Sequence, residues 1–202
     1  MKEDILLNAQ QLYMRYGIKS VTMMDIAREM GISKKTLYTH FKDKASLVHE
    51  GMLTHLQRDS MQFDSLRKQY PNAIEYFFKF CKFLNNHIRS MNPSTTMDLK
   101  KYYGKTWKLF EDYKQKYIYE SVKQNLEDGI AQGLYRDDIS VDIVAKLYIS
   151  KMDVIIDQDL FPISDYTMSQ IHKEYVLYHF NGIISDKGRK YLKNMTKKET
   201  VA

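Results

Sequence analysis

Apolar residues recur at steps of three and four along most of this chain, which is the spacing of one face of an α-helix. The first apolar set shows this spacing clearly, and it consists of Ile5, Leu6, Ala9, Leu12, Tyr13 and Tyr16. Gly17 follows directly, and glycine is the residue most often found just after the end of a helix. The pattern therefore predicts a first helix that ends near Gly17 and packs one face on a core.

The next thirty residues predict two short helices and the start of a long one. Thr22, with Asp25 three residues on, has the spacing of a capping box at a helix start. Gly31 predicts the end of that helix, and Ser33 is a suitable N-cap for the next. Asp43 can cap a long fourth helix. Short second and third helices with a tight corner between them have the proportions of a helix-turn-helix.

The remainder of the chain also favours helices. Turn-forming residues interrupt the periodicity at 70–72 and again at 92–94, and long periodic stretches follow up to residue 183. The pattern contains no convincing strand and no internal repeat. We therefore predict an all-α fold of about nine helices. We expect a helix-turn-helix domain over residues 1–50 and a further helical domain over 51–202.

Composition supports this picture and adds a preference for anionic partners. Of 202 residues only 3 are proline and 8 are glycine, which suits long helices. The formal net charge is +6, a mild bias towards a partner such as nucleic acid. Cys81 is the single cysteine, so an intramolecular disulfide is excluded and a reduced, cytoplasmic setting is expected. We expect no membrane segment, because no run approaches about 20 apolar residues.

Twelve residues between positions 22 and 47 follow one another in a recognisable order: Thr22, Ile26, Ala27, Gly31, Ile32, Ser33, Thr36, Leu37, Tyr38, Phe41, Lys44 and Leu47. This order resembles the N-terminal domain of the TetR/AcrR family of bacterial transcriptional regulators. Many members carry glycine where this chain has Lys35, so the local approach to DNA can differ here.

The resemblance implies roles for the third helix and its neighbours. By analogy with the family, Thr22, Tyr38 and Lys44 contact phosphates of double-stranded DNA. Polar and cationic side chains can also reach base edges in a major groove, and the expected base or near-base contacts are Lys34, Lys35, Thr36 and His40. Leu37 and Phe41 are expected in the core. The predicted DNA-binding set is Thr22, Ser33, Lys34, Lys35, Thr36, Tyr38, Thr39, His40 and Lys44.

The resemblance also implies that the helical domain over residues 51–202 is a ligand-binding and dimerisation domain, with an effector pocket and a homodimer interface. An apolar pocket needs aromatic walls and few polar groups. The aromatic-rich set that we assign to it is Phe77, Phe80, Cys81, Tyr103, Trp107, Phe110 and Tyr113. The dimer surface is expected on helices 141–160 and 166–184, with Leu147, Tyr148, Ile155, Met168, Ile171, Tyr175 and Phe180. For each of these aromatic residues taken singly, a place in an ordinary helical core is the favoured interpretation, and only the resemblance favours a pocket in this region.

The predicted function is that of a repressor that binds a palindromic operator as a homodimer and is released from it by a small apolar effector. A ligand-independent regulator or an activator of the same fold is the nearest alternative. A helical protein-binding adaptor and an enzyme that borrows the domain are alternatives from other classes. The basic third helix argues against the adaptor. We expect no enzymatic activity, cofactor or metal, because no catalytic constellation, phosphate loop or metal-ligand spacing occurs.

Overall fold

The computed structural model describes residues 1–155, 157 and 159–199, without the side chains of Ile88 and residues 196–199. Ten helices occur in this part of the chain, close to the predicted nine, and the all-α prediction is confirmed. The helices are α1 (Lys2–Tyr16), α2 (Met23–Glu29), α3 (Lys34–His40), α4 (Lys44–Gln69), α5 (Ala73–Ser90), α6 (Ser94–Tyr102), α7 (104–131), α8 (Val141–Ile155), α9 (Met168–Ile183) and α10 (Asp186–Glu199).

Helix α7 is continuous but not regular. It consists of the α-helical segment Gly104–Tyr113, the π-helical segment Lys114–Ile118 and the α-helical segment Tyr119–Ala131. The helix predicted over 141–160 is described as α8 only as far as Ile155, and Ile156 lies outside the described residues. Within the described ranges, extended pairing is limited to an isolated bridge between Tyr135 and Ile184.

The predicted helix ends near the N-terminus are confirmed. The Thr22 hydroxyl accepts from the Asp25 amide at 3.2 Å, and the Asp25 carboxylate accepts from the Thr22 amide at 2.8 Å. Gly31 has a φ of 63°, a left-handed conformation that glycine adopts without steric cost. The Ser33 hydroxyl accepts from the Thr36 amide at 3.0 Å, and Asp43 caps the start of α4. The corner between α2 and α3 is therefore fixed by local hydrogen bonds.

The described residues group into two compact units. The first contains Met1–Met61 and Arg89–Tyr113, and the second contains Gln62–Ile88 and the described residues from Lys114 onward. The predicted boundary between residues 50 and 51 stays a prediction. Across the part of the chain that the structure describes, we find no helix that combines the length and the apolarity needed to cross a membrane.

The core of the first unit joins the three N-terminal helices to α6. Ile5, Ile26, Leu37 and Leu47 are completely buried in it. Helix α6 begins against the end of α1, where the Thr95 hydroxyl donates to the carbonyl of Tyr13 at 3.1 Å. The sequence pattern does not predict α6. Its attachment depends on polar contacts with residues about 80 positions earlier, and these leave no apolar periodicity.

The core of the second unit packs around a buried tyrosine. The Tyr135 hydroxyl lies 3.1 Å from the Ala73 carbonyl oxygen and 3.2 Å from the Asn125 side-chain oxygen, so it can donate a hydrogen bond to either one. A Cβ atom on Gly129 would overlap the Tyr135 ring. Only glycine therefore allows the ring to approach α7 this closely.

Candidate nucleic-acid interface

Helix α3 presents two chemically different faces. Leu37 and Phe41 are 0% and 1% exposed, so they hold the helix on the core as predicted. Lys34, Lys35 and Tyr38 are exposed on the other side. Thr39 is exposed beside them, while Thr36 and His40 are half-buried. The helix is therefore held by apolar contacts and offers cationic and hydroxyl groups to a partner.

The exposed face of α3 is positively charged. Its first turn contains no acidic residue. The Lys34 ammonium lies 5.7 Å from the centre of the Tyr38 ring, a distance typical of a cation–π contact. This contact holds a cation beside a phenol whose hydroxyl can donate to a phosphate oxygen.

Thr22 is exposed, but its hydrogen-bonding groups already have local partners. Its hydroxyl donates to the Asp25 carboxylate at 2.7 Å and also accepts from the Asp25 amide. These bonds to Thr22 hold the pKa of the Asp25 carboxyl below its usual value. A phosphate contact through the Thr22 hydroxyl would therefore have to compete with Asp25 for the same proton.

Lys44 is also engaged within the protein. Its ammonium donates to the Ile18 carbonyl at 2.6 Å and lies 3.4 Å from the Lys19 carbonyl. Partial burial lowers the pKa of Lys44, and the charges of Asp98 and Asp25 oppose that shift. Lys44 thus ties the start of α4 to the turn after α1. An ammonium carries three donors, so a phosphate can still be bound.

The structure divides the predicted effector-pocket residues between the two units. Phe77, Phe80 and Cys81 are buried in the second unit. Tyr103 and Trp107 pack in part against the core of the first unit. Phe110 lies 5.5 Å from Trp107, and Tyr113 belongs to the same unit. The fluorescence of Trp107 therefore responds to changes in the unit that contains the helix-turn-helix. A pocket formed by the whole set stays a prediction.

Three residues predicted at the dimer surface lie in the core instead. Tyr148, Ile155 and Phe180 are 2%, 6% and 3% exposed. The prediction was wrong for them because helical spacing shows which residues share a face but not what covers it. Tyr148 packs 4.7 Å from the His179 ring, and Phe180 stacks 5.7 Å from Phe77.

The other predicted interface residues remain at least partly accessible. Leu147 is 53% exposed, whereas Met168, Ile171 and Tyr175 are half-buried. The Tyr175 hydroxyl donates to the Tyr148 carbonyl at 2.6 Å, and this hydrogen bond links α9 to α8 within the second unit. The sequence analysis did not assign four other apolar residues of α8 and α9 that are exposed, namely Ile143, Val154, Leu177 and Tyr178.

Comparison with known proteins agrees with this geometry. The profile of the family described as bacterial regulatory proteins, tetR family, matches residues 5–50. The HTH-type transcriptional regulator YvaF of Bacillus subtilis (strain 168) is 26% identical over 193 residues, covering 92% of this chain and 97% of the relative.

Solved structures share the fold over nearly the whole length. A transcriptional regulator from Saccharomonospora viridis in complex with choline has a TM-score of 0.74 at 19% identity, covering 91% of this chain and 97% of its own. A TetR-family regulator from Agrobacterium tumefaciens has a TM-score of 0.72 at 17% identity, with the same coverage of both chains.

The helix-turn-helix geometry and these similarities define a DNA-binding transcriptional regulator. Within that class, residues 5–50 match the tetR family of regulators, as the residues between Thr22 and Leu47 predicted. The members of this family are transcription regulators.

Proposed function

We propose that this regulator is a repressor that reads a palindromic operator as a homodimer, with α3 of each subunit in a major groove. The arrangement of α3 is the observation that carries this proposal. Buried Leu37 and Phe41 hold the helix, while Lys34, Lys35 and Tyr38 are exposed on its outer face. Residues with those donors suit phosphates and base edges.

Two substitutions on α3 test this assignment. Tyr38→Ala should weaken binding to all duplexes alike, since a phosphate contact carries no sequence information. Lys35→Ala should change sequence preference by about 1–3 kcal/mol for each base contact that it removes. Fluorescence anisotropy with duplexes from the region upstream of the gene and with scrambled duplexes measures both effects. Equal reductions in affinity on every duplex for both variants would contradict the assigned roles.

Support for the homodimer comes from the outer surfaces of α8 and α9. Leu147 and Ile143 lie one helical turn apart on α8 and are 53% and 57% exposed. Tyr178 of α9 is 72% exposed, and the Lys151 ammonium of α8 lies 4.5 Å from its ring. Exposed apolar residues grouped on two packed helices are typical of an interface. Two-fold symmetry would also place two reading helices on one duplex.

Support for a small apolar effector comes from the aromatic core of the second unit. The His179 ring lies 4.7 Å from Tyr148 and 5.7 Å from Phe77. Its buried Nε2 atom has no hydrogen-bond partner among the described residues. Buried nitrogen atoms are normally paired, so a bound molecule with one polar group would satisfy it. Choline in the S. viridis regulator shows that one protein of this fold binds a small molecule.

Release by an effector can be tested with a panel of hydrophobic compounds added to the protein–DNA complex. Compounds that dissociate the duplex should also bind the free protein more tightly than the DNA-bound protein, because coupling between two sites is reciprocal. Typical coupling of 1–3 kcal/mol corresponds to a change of about 5- to 150-fold. Trp107 emission gives a second signal, from the first unit. Compounds that bind but leave DNA affinity unchanged would contradict the release mechanism.

A His179→Phe variant tests whether the effector binds to the Nε2 atom of His179. The substitution keeps an aromatic ring and removes the unpaired nitrogen. We expect it to weaken effector binding while leaving DNA affinity as in the wild type. Unchanged effector binding would exclude His179 from the site.

A further inference from the structure

A second group of cations lies in the same unit as the helix-turn-helix but outside it. The ammonium groups of Lys19 and Lys101 each lie 5.4 Å from the centre of the Tyr102 ring. Lys19 belongs to the turn after α1, whereas Lys101 and Tyr102 end α6. All three are exposed, and Tyr102 is 47% exposed. Residues about 80 positions apart thus form one surface cluster, which we call the Lys19–Tyr102 cluster.

Buried contacts fix the position of this cluster. The backbone amide of Lys19 donates to the Asp98 carboxylate at 2.7 Å. Asp98 is only 8% exposed and lies one turn before Lys101 and Tyr102 on α6. The turn after α1 is therefore attached to α6 by the backbone, while both lysine side chains stay at the surface.

The cluster is continuous with the face assigned to DNA. The Lys44 ammonium donates to the Ile18 carbonyl, beside Lys19. Asp25, which belongs to the capping box of α2, and Asp98 of α6 both act electrostatically on Lys44. Lys44 therefore lies between the helix-turn-helix and the cluster, and the cluster borders the predicted phosphate contacts.

The net charge of this region is positive. Lys19, Lys44 and Lys101 contribute three positive charges, and the carboxylates of Asp98 and Asp25 cancel two, which leaves one. Lys19 and Lys101 also lower the pKa of the Tyr102 phenol, chiefly through hydrogen bonding by Lys19, which shows that its oxygen lies in a positive field. Two mobile ammonium groups around a phenol suit anionic oxygens but offer no rigid planar pattern for reading bases.

We propose that Lys19, Lys101 and Tyr102 form a second binding site for the phosphate backbone of DNA, beside the duplex segment read by α3. The site rests on the proposed function, since its place on the duplex follows from α3 in the major groove. It lengthens the contact on each half-site without adding sequence specificity, because phosphates are the same in every sequence.

The test is the salt dependence of binding to a fluorescein-labelled 40-base-pair duplex of random sequence. The full chain, the double variant K19Q/K101Q and the control K108Q are compared by anisotropy over a range of KCl concentrations. Lys108 is an exposed cation of the same unit that forms an ion pair with Asp112 at 2.6 Å. The side chains exchanged are exposed, so thermal unfolding by circular dichroism should be unchanged.

The double variant should show a shallower plot of log affinity against log salt, by about 0.9 for each phosphate that the bound dimer no longer neutralises. K108Q should keep the wild-type slope. If K19Q/K101Q and the single variant K101Q both keep the wild-type slope and affinity, the second site is excluded. Failure of the proposed function is distinguishable, because Tyr38→Ala would then bind like the wild type.

Discussion

The Lys44 ammonium donates to the Ile18 carbonyl across 2.6 Å, so the first residue of α4 is tied to the turn that follows α1. A residue predicted only as a phosphate contact thus also holds the DNA-binding unit together. Thr22, the N-cap of α2, follows the same turn a few residues later.

Replacement of Lys44 by methionine should reduce stability and DNA binding together. The Ile18 carbonyl loses a charged donor, and hydrogen bonds to charged groups contribute about 1.5–3 kcal/mol. Urea unfolding and duplex anisotropy measure the two effects. The control Lys42→Met changes an exposed neighbour and should leave the free energy of unfolding within about 0.5 kcal/mol. Wild-type stability for Lys44→Met would show that the bond to Ile18 contributes nothing.

Gly129→Ala should destabilise the second unit. A Cβ atom there would overlap the buried Tyr135 ring, and overpacking of this kind costs about 1–3 kcal/mol. Gly182→Ala is the matched control, because α9 has nothing within 4 Å of that Cβ position. The control variant should be as stable as the wild type or more stable, because alanine is more favourable than glycine inside a helix. Equal melting temperatures for the two variants would refute the close approach of Tyr135.

Stability should fall as the pH drops from about 6.5 to about 4. Burial lowers the pKa of His172 to about 4, and burial with the nearby Lys151 charge does the same for His179. The unfolded chain takes up protons near pH 6.5. Between pH 6.5 and pH 4 the two histidines are protonated in the unfolded chain but not in the folded chain. The free energy of unfolding therefore decreases by up to about 1.4 kcal/mol for each histidine and each pH unit.

Urea unfolding at pH 7.5 and pH 5 measures this dependence. His172→Gln should remove part of the decrease, and the double variant with His179→Gln should remove more. A pH dependence unchanged in the double variant would mean that other groups cause it. Carboxylates whose pKa is lowered, such as those of Asp25 and Asp43, lose their contribution only at still lower pH.

Leu147→Glu should break the proposed homodimer. A charge placed on the exposed apolar surface of α8 and α9 would be buried without a partner in the dimer. Light scattering at micromolar concentration should give twice the chain mass for the wild type and the chain mass for the variant. Met61→Glu changes an apolar residue that is 72% exposed on α4 and should remain dimeric. A monomeric wild type would exclude the dimer.

Local chemistry explains why the N-terminal helices could be predicted. The cap of α2 is a hydrogen bond between Thr22 and Asp25, and that of α3 joins Ser33 and Thr36. Each bond spans three residues, so the local sequence is enough to predict both caps. The apolar spacing that ends in Leu37 and Phe41 also predicts their burial. These short-range rules were enough to place the outer face of α3 before any tertiary contact was known.

Tertiary structure decided what covers each helical face. Periodicity placed Tyr148 and Phe180 on apolar faces, but packing against Phe77 and His179 turned those faces inward and left Leu147 outside. Helices α6 and α10 were not predicted, because polar contacts attach them to residues that are distant in the sequence. Tyr191 of α10, for example, donates to Glu75 across 116 positions. Lys19 and Lys101 meet around Tyr102 for the same reason: the contact joins surfaces that only the folded chain brings together.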